Sequence, residues 1–273
     1  MKNFELRIGN QTAYAAKSAL EPFEFALSNG FRAFEFFPDR GPSGDGGWDE
    51  RAMGLFEREF IRKAAVTCGL ALTVHAPLAM SPLKQDQDGR VESVVEFARE
   101  LDAKVLVVHL DLSQGLEAFG DGLSPLLKAT RKAKLKLALE NTVWNGPEEL
   151  NAFFAWLRIN HPQSLHHTGL CFDLGHANVC SATQNDYLAF IDRLALDIPI
   201  LHLHLHENWG DRDSHLTLFT GPSRDNESGI AGLLQRLKSR SFRGCAILEQ
   251  WPQPPELLVE TKNRLEALMQ VAS

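Results

Sequence analysis

Short apolar runs alternate with amphipathic stretches along most of the chain. Apolar residues spaced as i, i+3, i+4 and i+7 predict helices, and one such set is Leu150, Phe153, Phe154 and Leu157. The apolar runs between the helices predict strands at residues 4–9, 31–37, 71–75, 104–109, 135–140, 168–173, 200–206 and 243–249. Strands that alternate with helices in this way form βαβ units, so we predict one parallel sheet.

The number and length of these units indicate a barrel. Eight units in 273 residues amount to about 34 residues each, which is the repeat size of a (β/α)8 TIM barrel. A doubly wound open sheet is the alternative, but no G-x-G-x-x-G motif follows the first strand, and polar residues end nearly all strands instead of gathering at one switch point. The Gly-rich stretch at 40–47 follows the second strand and is predicted to be a long loop. We therefore predict a single TIM barrel domain over residues 1–273.

Composition and charge exclude several classes of protein. The chain is 44% hydrophobic and 23% charged, which is ordinary for a globular protein. Its 28 basic and 35 acidic residues give a net charge of −7, which counts against a nucleic-acid partner because such partners favour a basic face. The four cysteines form no C-x-x-C pair, and no apolar leader or run of about 18 apolar residues occurs. We expect reduced thiols, no membrane partner and a cytoplasmic location.

A carboxylate or an imidazole lies at or near the end of seven predicted strands. In chain order these residues are Glu35, His75, His109, Glu140, Asp173, His204 and Glu249. Side chains alternate between the two faces of a strand, and we expect the larger aliphatic residues to face the surrounding helices. The polar ends then face the barrel axis and meet at the C-terminal mouth, where barrel enzymes hold their active sites.

Such a ring of acidic and imidazole groups predicts a bound cation. Carboxylates within a few ångströms of one another repel unless protons or cations lie between them. Oxygen-rich sets suit Mg²⁺ or Mn²⁺, and added imidazoles suit Zn²⁺ or Co²⁺. Trp144 follows a strand end where an aromatic wall could cover a sugar ring, although ordinary loop packing explains its position equally well.

Six short stretches at these strand ends carry a resemblance to a known family. They are VHAP at 74–77, LENT at 139–142, FDLGHA at 172–177, HLHEN at 204–208, DSH at 213–215 and LE at 248–249. In order and spacing they resemble the xylose-isomerase-like (β/α)8 superfamily. That superfamily includes ketose epimerases, sugar and sugar-phosphate isomerases, and the endonuclease-four class of apurinic-site endonucleases.

The resemblance implies roles for individual residues. The implied divalent-metal ligands are Glu140, Asp173, His204 and Glu249. Further ligands, as in the multi-zinc endonucleases, would be His75, His109, His176, Asp213 and His215. Residues expected to contact substrate are His176, Glu35, His206, Arg212 and Trp144, although Arg212 is flanked by Asp211 and Asp213, as in an exposed ion-pair cluster. Members of the superfamily are often dimers or tetramers, so a homo-oligomer is also expected.

The leading functional hypothesis is a sugar or sugar-phosphate isomerase or epimerase, with a small sugar as the partner. Glu140 and Glu249 would exchange a proton at the carbon beside a carbonyl, through an enediolate that the metal stabilises. The resemblance implies this double role as ligands and bases.

Three other hypotheses stay open. One is phosphodiester hydrolysis at abasic DNA, against which stand the net charge and two departures from the endonuclease motifs. His109 is followed by Leu-Asp instead of Pro-Gly, and Glu249 by Gln-Trp-Pro instead of Thr-Pro. The second is a metal-dependent dehydratase on the same scaffold. The third is a barrel that only binds a ligand, which the retained ligand types disfavour.

Overall fold

The computed structural model describes residues 4–39, 47–84 and 89–271. Eight parallel strands form a closed barrel in sequence order, and the last strand pairs with the first. The strands are β1 (Glu5–Gln11), β2 (Ala33–Phe36), β3 (Ala71–His75), β4 (Val105–His109), β5 (Lys136–Glu140), β6 (Thr168–Asp173), β7 (Ile200–Leu205) and β8 (Arg243–Leu248). The predicted TIM barrel is therefore confirmed.

Helices surround this barrel. In the described ranges they are α1 (Leu20–Ser28), α2 (Leu55–Cys68), α3 (Arg90–Glu100), α4 (Leu116–Ala133), α5 (Pro147–Asn160), α6 (Leu174–Val179), α7 (Tyr187–Arg193), α8 (Ser228–Ser239) and α9 (Leu257–Val271), with short 3-10 turns at Glu50–Ala52 and Pro162–Ser164. Pro147 is the first residue of α5, where its fixed φ and missing N–H cost nothing. No helix within the described ranges is long and apolar enough to cross a membrane.

The alternation of side chains along each strand separates two layers of core. Large aliphatic residues such as Leu72, Val74 and Leu203 belong to the main core between strands and helices, as predicted. Smaller residues, among them Ala71 and Cys171, fill the barrel interior. The small interior residues leave room above them for imidazole and carboxylate side chains at the mouth.

Four strands end one or two residues away from the predicted position. β1 continues two residues further than predicted, to Gln11. β2 is shorter than predicted and ends at Phe36. β7 ends at Leu205 and β8 ends at Leu248, so His206 and Glu249 begin the loops that follow these strands. All four polar residues at the tips of β3 to β6 stay inside their predicted strands.

Candidate metal centre

The strand register brings the polar tips of neighbouring strands side by side. His109 on β4 pairs with Glu140 on β5, and Asp173 on β6 pairs with His204 on β7. Glu249 reaches the same place from the first position after β8, where its carboxylate lies 3.2 Å from the His204 imidazole. The barrel thus assembles residues from distant parts of the sequence into one cluster at its C-terminal mouth.

A central group surrounds one nitrogen of His204. Its Nδ1 lies 3.1 Å from Glu140 Oε2, 3.2 Å from Glu249 Oε1 and 3.9 Å from Asp173 Oδ2. Its Nε2 lies 2.9 Å from Glu35 Oε1 and donates its hydrogen to that carboxylate. The buried Nδ1 has no hydrogen-bond partner. With the Nε2 hydrogen given to Glu35, Nδ1 is the nitrogen that a cation shared with these three carboxylates would bind.

A second group shares Glu140 with the central group. His75 Nε2 lies 3.1 Å from Glu140 Oε2, and His109 Nε2 lies 3.5 Å from Glu140 Oε1. His75 Nδ1 is 2.6 Å from the Ala76 carbonyl oxygen, to which it donates. The bond to the backbone fixes the ring and leaves Nε2 facing the carboxylate.

A third group lies on α6, which follows β6, and on the loop after β7. His176 Nε2 and His215 Nε2 lie 3.2 Å and 3.1 Å from the same oxygen, Asp213 Oδ2. His176 Nδ1 is 2.9 Å from the Asn141 carbonyl oxygen, so its ring is also fixed by the backbone.

These donor sets fit divalent metal ions. Among the described residues, four clusters contain both a carboxylate and histidine, and the ligand atoms of each cluster lie within 4.8 Å of one another. Together these clusters include residues of all three groups. Carboxylate oxygens mixed with imidazole nitrogens suit Mn²⁺, Co²⁺ and Zn²⁺, and the central group, richest in oxygen, also suits Mg²⁺. The residues present therefore fit the predicted divalent metal.

The pKa values of the central carboxylates are pushed apart. Burial opposes ionisation of Glu140, but His204 and His109 outweigh it and hold the pKa of Glu140 well below its usual value. Burial likewise opposes ionisation of Asp173, whose pKa His176 and His206 lower to about 2. By contrast, burial and the carboxylates of Glu140 and Asp173 raise the pKa of Glu249, although His204 opposes the shift. Two carboxylates with opposite pKa shifts thus lie beside the same nitrogen of His204.

Glu35 takes a different place from the one that the sequence suggested. It was expected to contact substrate, but its carboxylate is completely buried beneath the cluster. It accepts hydrogen bonds from Thr73 Oγ1 at 2.9 Å and His204 Nε2, and lies 3.0 Å from His202 Nε2. The structure therefore makes Glu35 a residue that orients His204 from below.

Replacing Glu35 by glutamine is expected to lower metal affinity by about 10- to 100-fold, because the carboxylate that fixes the His204 tautomer is lost. The dissociation constant for Mn²⁺ or Zn²⁺, measured by competition with a chromophoric chelator, checks this. Glu50→Gln is a matched control, since Glu50 is also fully buried but bonds Ser93 instead of the cluster. Equal losses in the two variants would contradict the assigned role.

His206 and Arg212 also do not lie where residues that contact substrate were expected. His206 is fully buried, with Nε2 3.1 Å from Asp173 Oδ2 and its ring stacked 3.9 Å from that of His215. It fits this closely only because residue 175 is glycine, since a Cβ there would lie 1.9 Å from His206 Cε1. Arg212 is exposed and does not line the cavities described below. His206 thus braces Asp173 and His215, and Arg212 stays on the surface.

Asn141 is a positioning residue to which the sequence analysis assigned no role. Its side-chain Oδ1 accepts the Asp173 backbone N–H at 2.8 Å, and its Nδ2 donates to the Asp173 carbonyl at 2.9 Å. The two bonds fix the backbone that carries Asp173. Asn141 lies within the LENT stretch, and its place there is the sequence feature that could have pointed to this role.

Glu207 organises the loop that carries Asp213 and His215. Its carboxylate accepts backbone N–H bonds from Phe219, Gly221 and Ser223 at 2.9–3.1 Å, and its backbone pairs with Leu216. One buried carboxylate thus holds both ends of the segment between residues 207 and 223.

Replacing Glu207 by glutamine is expected to speed hydrogen exchange at the amides of Phe219, Gly221 and Ser223 by at least about tenfold, because bonds to a charged acceptor contribute roughly 1.5–3 kcal/mol each. Hydrogen–deuterium exchange resolved by NMR or mass spectrometry measures this. Glu149→Gln is the control, since Glu149 caps only the Gly146 amide and its effect should stay there. Unchanged protection at 219–223 in Glu207→Gln would refute the role.

The cluster forms the floor of a cavity of about 390 Å³. Its floor includes His75, His109, Glu140, His176, Asp213, His215 and Glu249, and its walls include Tyr14, Phe37, Trp48 and Trp251. Ligand pockets of small molecules fall in this range of size. Trp144 lines a neighbouring cavity and is 82% exposed.

Known proteins resemble this chain in sequence or in fold. A curated relative, the uncharacterized protein MJ1311 of Methanocaldococcus jannaschii, is 27% identical over 201 residues, which span 65% of this chain and 64% of that relative. A D-tagatose 3-epimerase-like protein superposes with a TM-score of 0.73 at 22% identity, covering 97% of this chain and 98% of its own. Endonuclease IV from Thermus thermophilus superposes with a TM-score of 0.63 at 24% identity, covering 97% and 99%.

At these identities the solved structures show a shared fold and leave the reaction open. The family is shown by a model of the xylose isomerase-like TIM barrel, which matches residues 23–268 of the chain. This protein belongs to the xylose isomerase-like TIM barrel family.

Proposed function

We propose that this protein is a divalent-metal enzyme that isomerises or epimerises a small sugar by proton transfer beside a carbonyl. One observation carries the proposal. Glu140 and Glu249, from different sides of the barrel mouth, both line a cavity of sugar size and converge on the buried Nδ1 of His204 beneath it.

The two glutamates are suited to complementary proton transfers. A bound divalent cation would polarise the carbonyl of the substrate and so acidify the neighbouring C–H. Glu140, whose pKa lies well below its usual value, is the ionised partner and can accept a proton from that carbon. Glu249, which lies beside the same His204 nitrogen as Glu140, is placed to return a proton to the reaction centre. Two carboxylates held at one reaction centre can in this way remove a proton and return it.

The walls of the cavity favour a sugar ring. Tyr14, Phe37, Trp48 and Trp251 surround the space above the cluster. Their faces can pack on the C–H face of a sugar and exclude water from the reacting carbon.

A second candidate function is phosphoester hydrolysis. Two outer groups of possible ligands favour it, namely His75–His109–Glu140 and His176–Asp213–His215. A reaction at a single metal would need neither group, whereas hydrolysis at several metals would use both. Two or three adjacent metals would clamp the attacking and leaving oxygens of a phosphoester. The cavity walls named above are aromatic instead of basic, which disfavours duplex DNA as the substrate.

One experiment separates the two candidates. Protein loaded with Mn²⁺ or Zn²⁺ is incubated in heavy water with a panel of ketoses and, separately, with a duplex that contains one abasic site. We expect deuterium at the carbon beside the carbonyl of at least one ketose, detected by NMR, and an intact duplex. Cleavage of the duplex without exchange on any ketose would establish the hydrolase instead.

A further inference from the structure

A second and larger cavity opens beside the first. Its volume is about 610 Å³, compared with about 390 Å³ for the cavity above the cluster. His75, Leu78 and His109 line both cavities. The two spaces therefore adjoin at the edge of the metal centre that β3 and β4 form.

The lining of the second cavity combines apolar residues with uncharged polar ones such as Ser113, Thr142 and Asn145. Met80, Leu110, Leu112 and Trp144 line it, together with the Ala76-Pro77 segment. Trp144 presents most of its surface to solvent, at 82% exposure, although burying an indole is favourable. An exposed indole on the wall of a cavity next to a reaction centre is a platform on which a ring can stack.

The described lining of both cavities lacks the cationic side chains that bind a phosphate group most strongly. Among the lining residues that the structure describes, there is no Lys or Arg in either cavity. Asp39 lines the first, and Asp111 and Glu149 line the second. A phosphate bound away from the metal would meet these carboxylates without a compensating cation, which is unfavourable at low dielectric.

The sizes of the cavities indicate a substrate of more than one ring. The first cavity accommodates a single sugar ring over the cluster. A free monosaccharide would leave the second cavity and Trp144 without a role in binding. A substrate with two linked rings would bury both surfaces at once, and its second ring would add binding energy remote from the reacting carbon.

We propose that the substrate is an uncharged sugar that carries a second ring, with the reacting ring above His204 and the second ring stacked on Trp144. This inference rests on the proposed function, because it assigns the reacting ring to the Glu140–Glu249 site. The second ring is either another sugar or an aromatic group, since both have an apolar face that stacks on indole.

The test compares four probes by calorimetric titration of the Mn²⁺-loaded protein. The probes are D-fructose, D-fructose 6-phosphate, 6-O-α-D-glucosyl-D-fructose and 6-O-benzyl-D-fructose. We expect at least one of the two-ring ketoses to bind about tenfold more tightly than D-fructose, and the phosphate to bind no better than D-fructose. Whichever two-ring ketose binds more tightly identifies the second ring as a sugar or an aromatic group.

Two variants attribute the gain to the second cavity. In Trp144→Ala, the ratio of the D-fructose and two-ring dissociation constants is expected to fall to about one. Trp209→Ala is the matched control, because Trp209 is also exposed, at 62%, but lines neither cavity. There the ratio should stay at its original value.

Three results would overturn the inference. They are tightest binding of the 6-phosphate, equal binding of D-fructose and both two-ring ketoses, or a gain that survives in Trp144→Ala. The same samples are assayed for deuterium exchange in heavy water. Tight two-ring binding through Trp144 without exchange on any probe would refute the proposed proton transfer but keep the assigned occupant. Exchange on D-fructose without tighter binding of either two-ring ketose would refute the assigned occupant but keep the proposed proton transfer.

Discussion

Glu140→Gln and Glu249→Gln are each expected to lower the rate of deuterium incorporation into the sugar substrate by at least about 100-fold, because proton transfer by a positioned carboxylate contributes roughly 10²–10⁴ in rate. The amide keeps the size of the carboxyl group but can neither accept nor return a proton at the substrate carbon. The rate is measured by NMR in heavy water, with saturating Mn²⁺.

Loss of metal must be separated from loss of the base. Both variants are therefore analysed for bound Mn²⁺ at the concentration used in the assay, and the exchange rate is compared per metal-loaded chain. Glu117→Gln, an exposed position on α4, is the control and should keep the full rate. A metal-loaded Glu140→Gln or Glu249→Gln that exchanges at the native rate would remove that residue from the proposed mechanism.

Removing metal with a chelator is expected to lower the melting temperature by about 10 °C. A ligand at about 1,000 times its Kd stabilises a native protein by roughly 4 kcal/mol, and about 1 kcal/mol shifts the melting temperature of a chain of this size by some 2–4 °C. The physical cause lies in the central group, where Glu140, Asp173 and Glu249 are buried together around the unpartnered Nδ1 of His204.

Scanning calorimetry with and without the chelator measures this shift, and Mn²⁺ added in excess should restore the original melting temperature. His204→Ala lacks the central nitrogen and should respond to the chelator by a smaller shift. An unchanged melting temperature after complete chelation would show that the cluster does not hold a stabilising cation.

The barrel could be predicted from the sequence because its pattern repeats. Eight apolar runs that alternate with amphipathic helices are compatible with few folds other than this barrel. The alternation of side chains along a strand is enough to place His75, Glu140 and Asp173 on the inner face. The four strands that carry residues 75, 109, 140 and 173 end as predicted, so these tips were the most reliable part of the expected site.

Depth inside the barrel could not be predicted in the same way. Glu35 pairs with Gln11 and Thr73 across the neighbouring strands, and this stagger places its carboxylate under His204 instead of at the mouth. His206 turns toward Asp173 because the chain leaves β7 at Leu205 and Gly175 leaves space for the ring. Register and loop path are tertiary properties that a single sequence does not encode locally.

The contacts made by loop residues were the hardest part of the site to predict from the sequence. The roles of Asp213 and His215 followed from the family resemblance, but the Glu207 carboxylate that holds their loop is visible only in the fold. The shapes of the two cavities likewise depend on how loops after several strands pack together. The proposal of a two-ring sugar therefore depends on the structure and could not be made from the sequence.

The most direct test of the account is a titration of exchange activity with metal. Chelator-treated protein receives Mn²⁺ in fractions of an equivalent, and deuterium incorporation into the ketose is measured at each step. Because Glu140, Asp173, His204 and Glu249 form one central group, the account predicts a linear rise that stops at one equivalent per chain. No exchange at any ratio, or a rate that requires two or three equivalents, would contradict it.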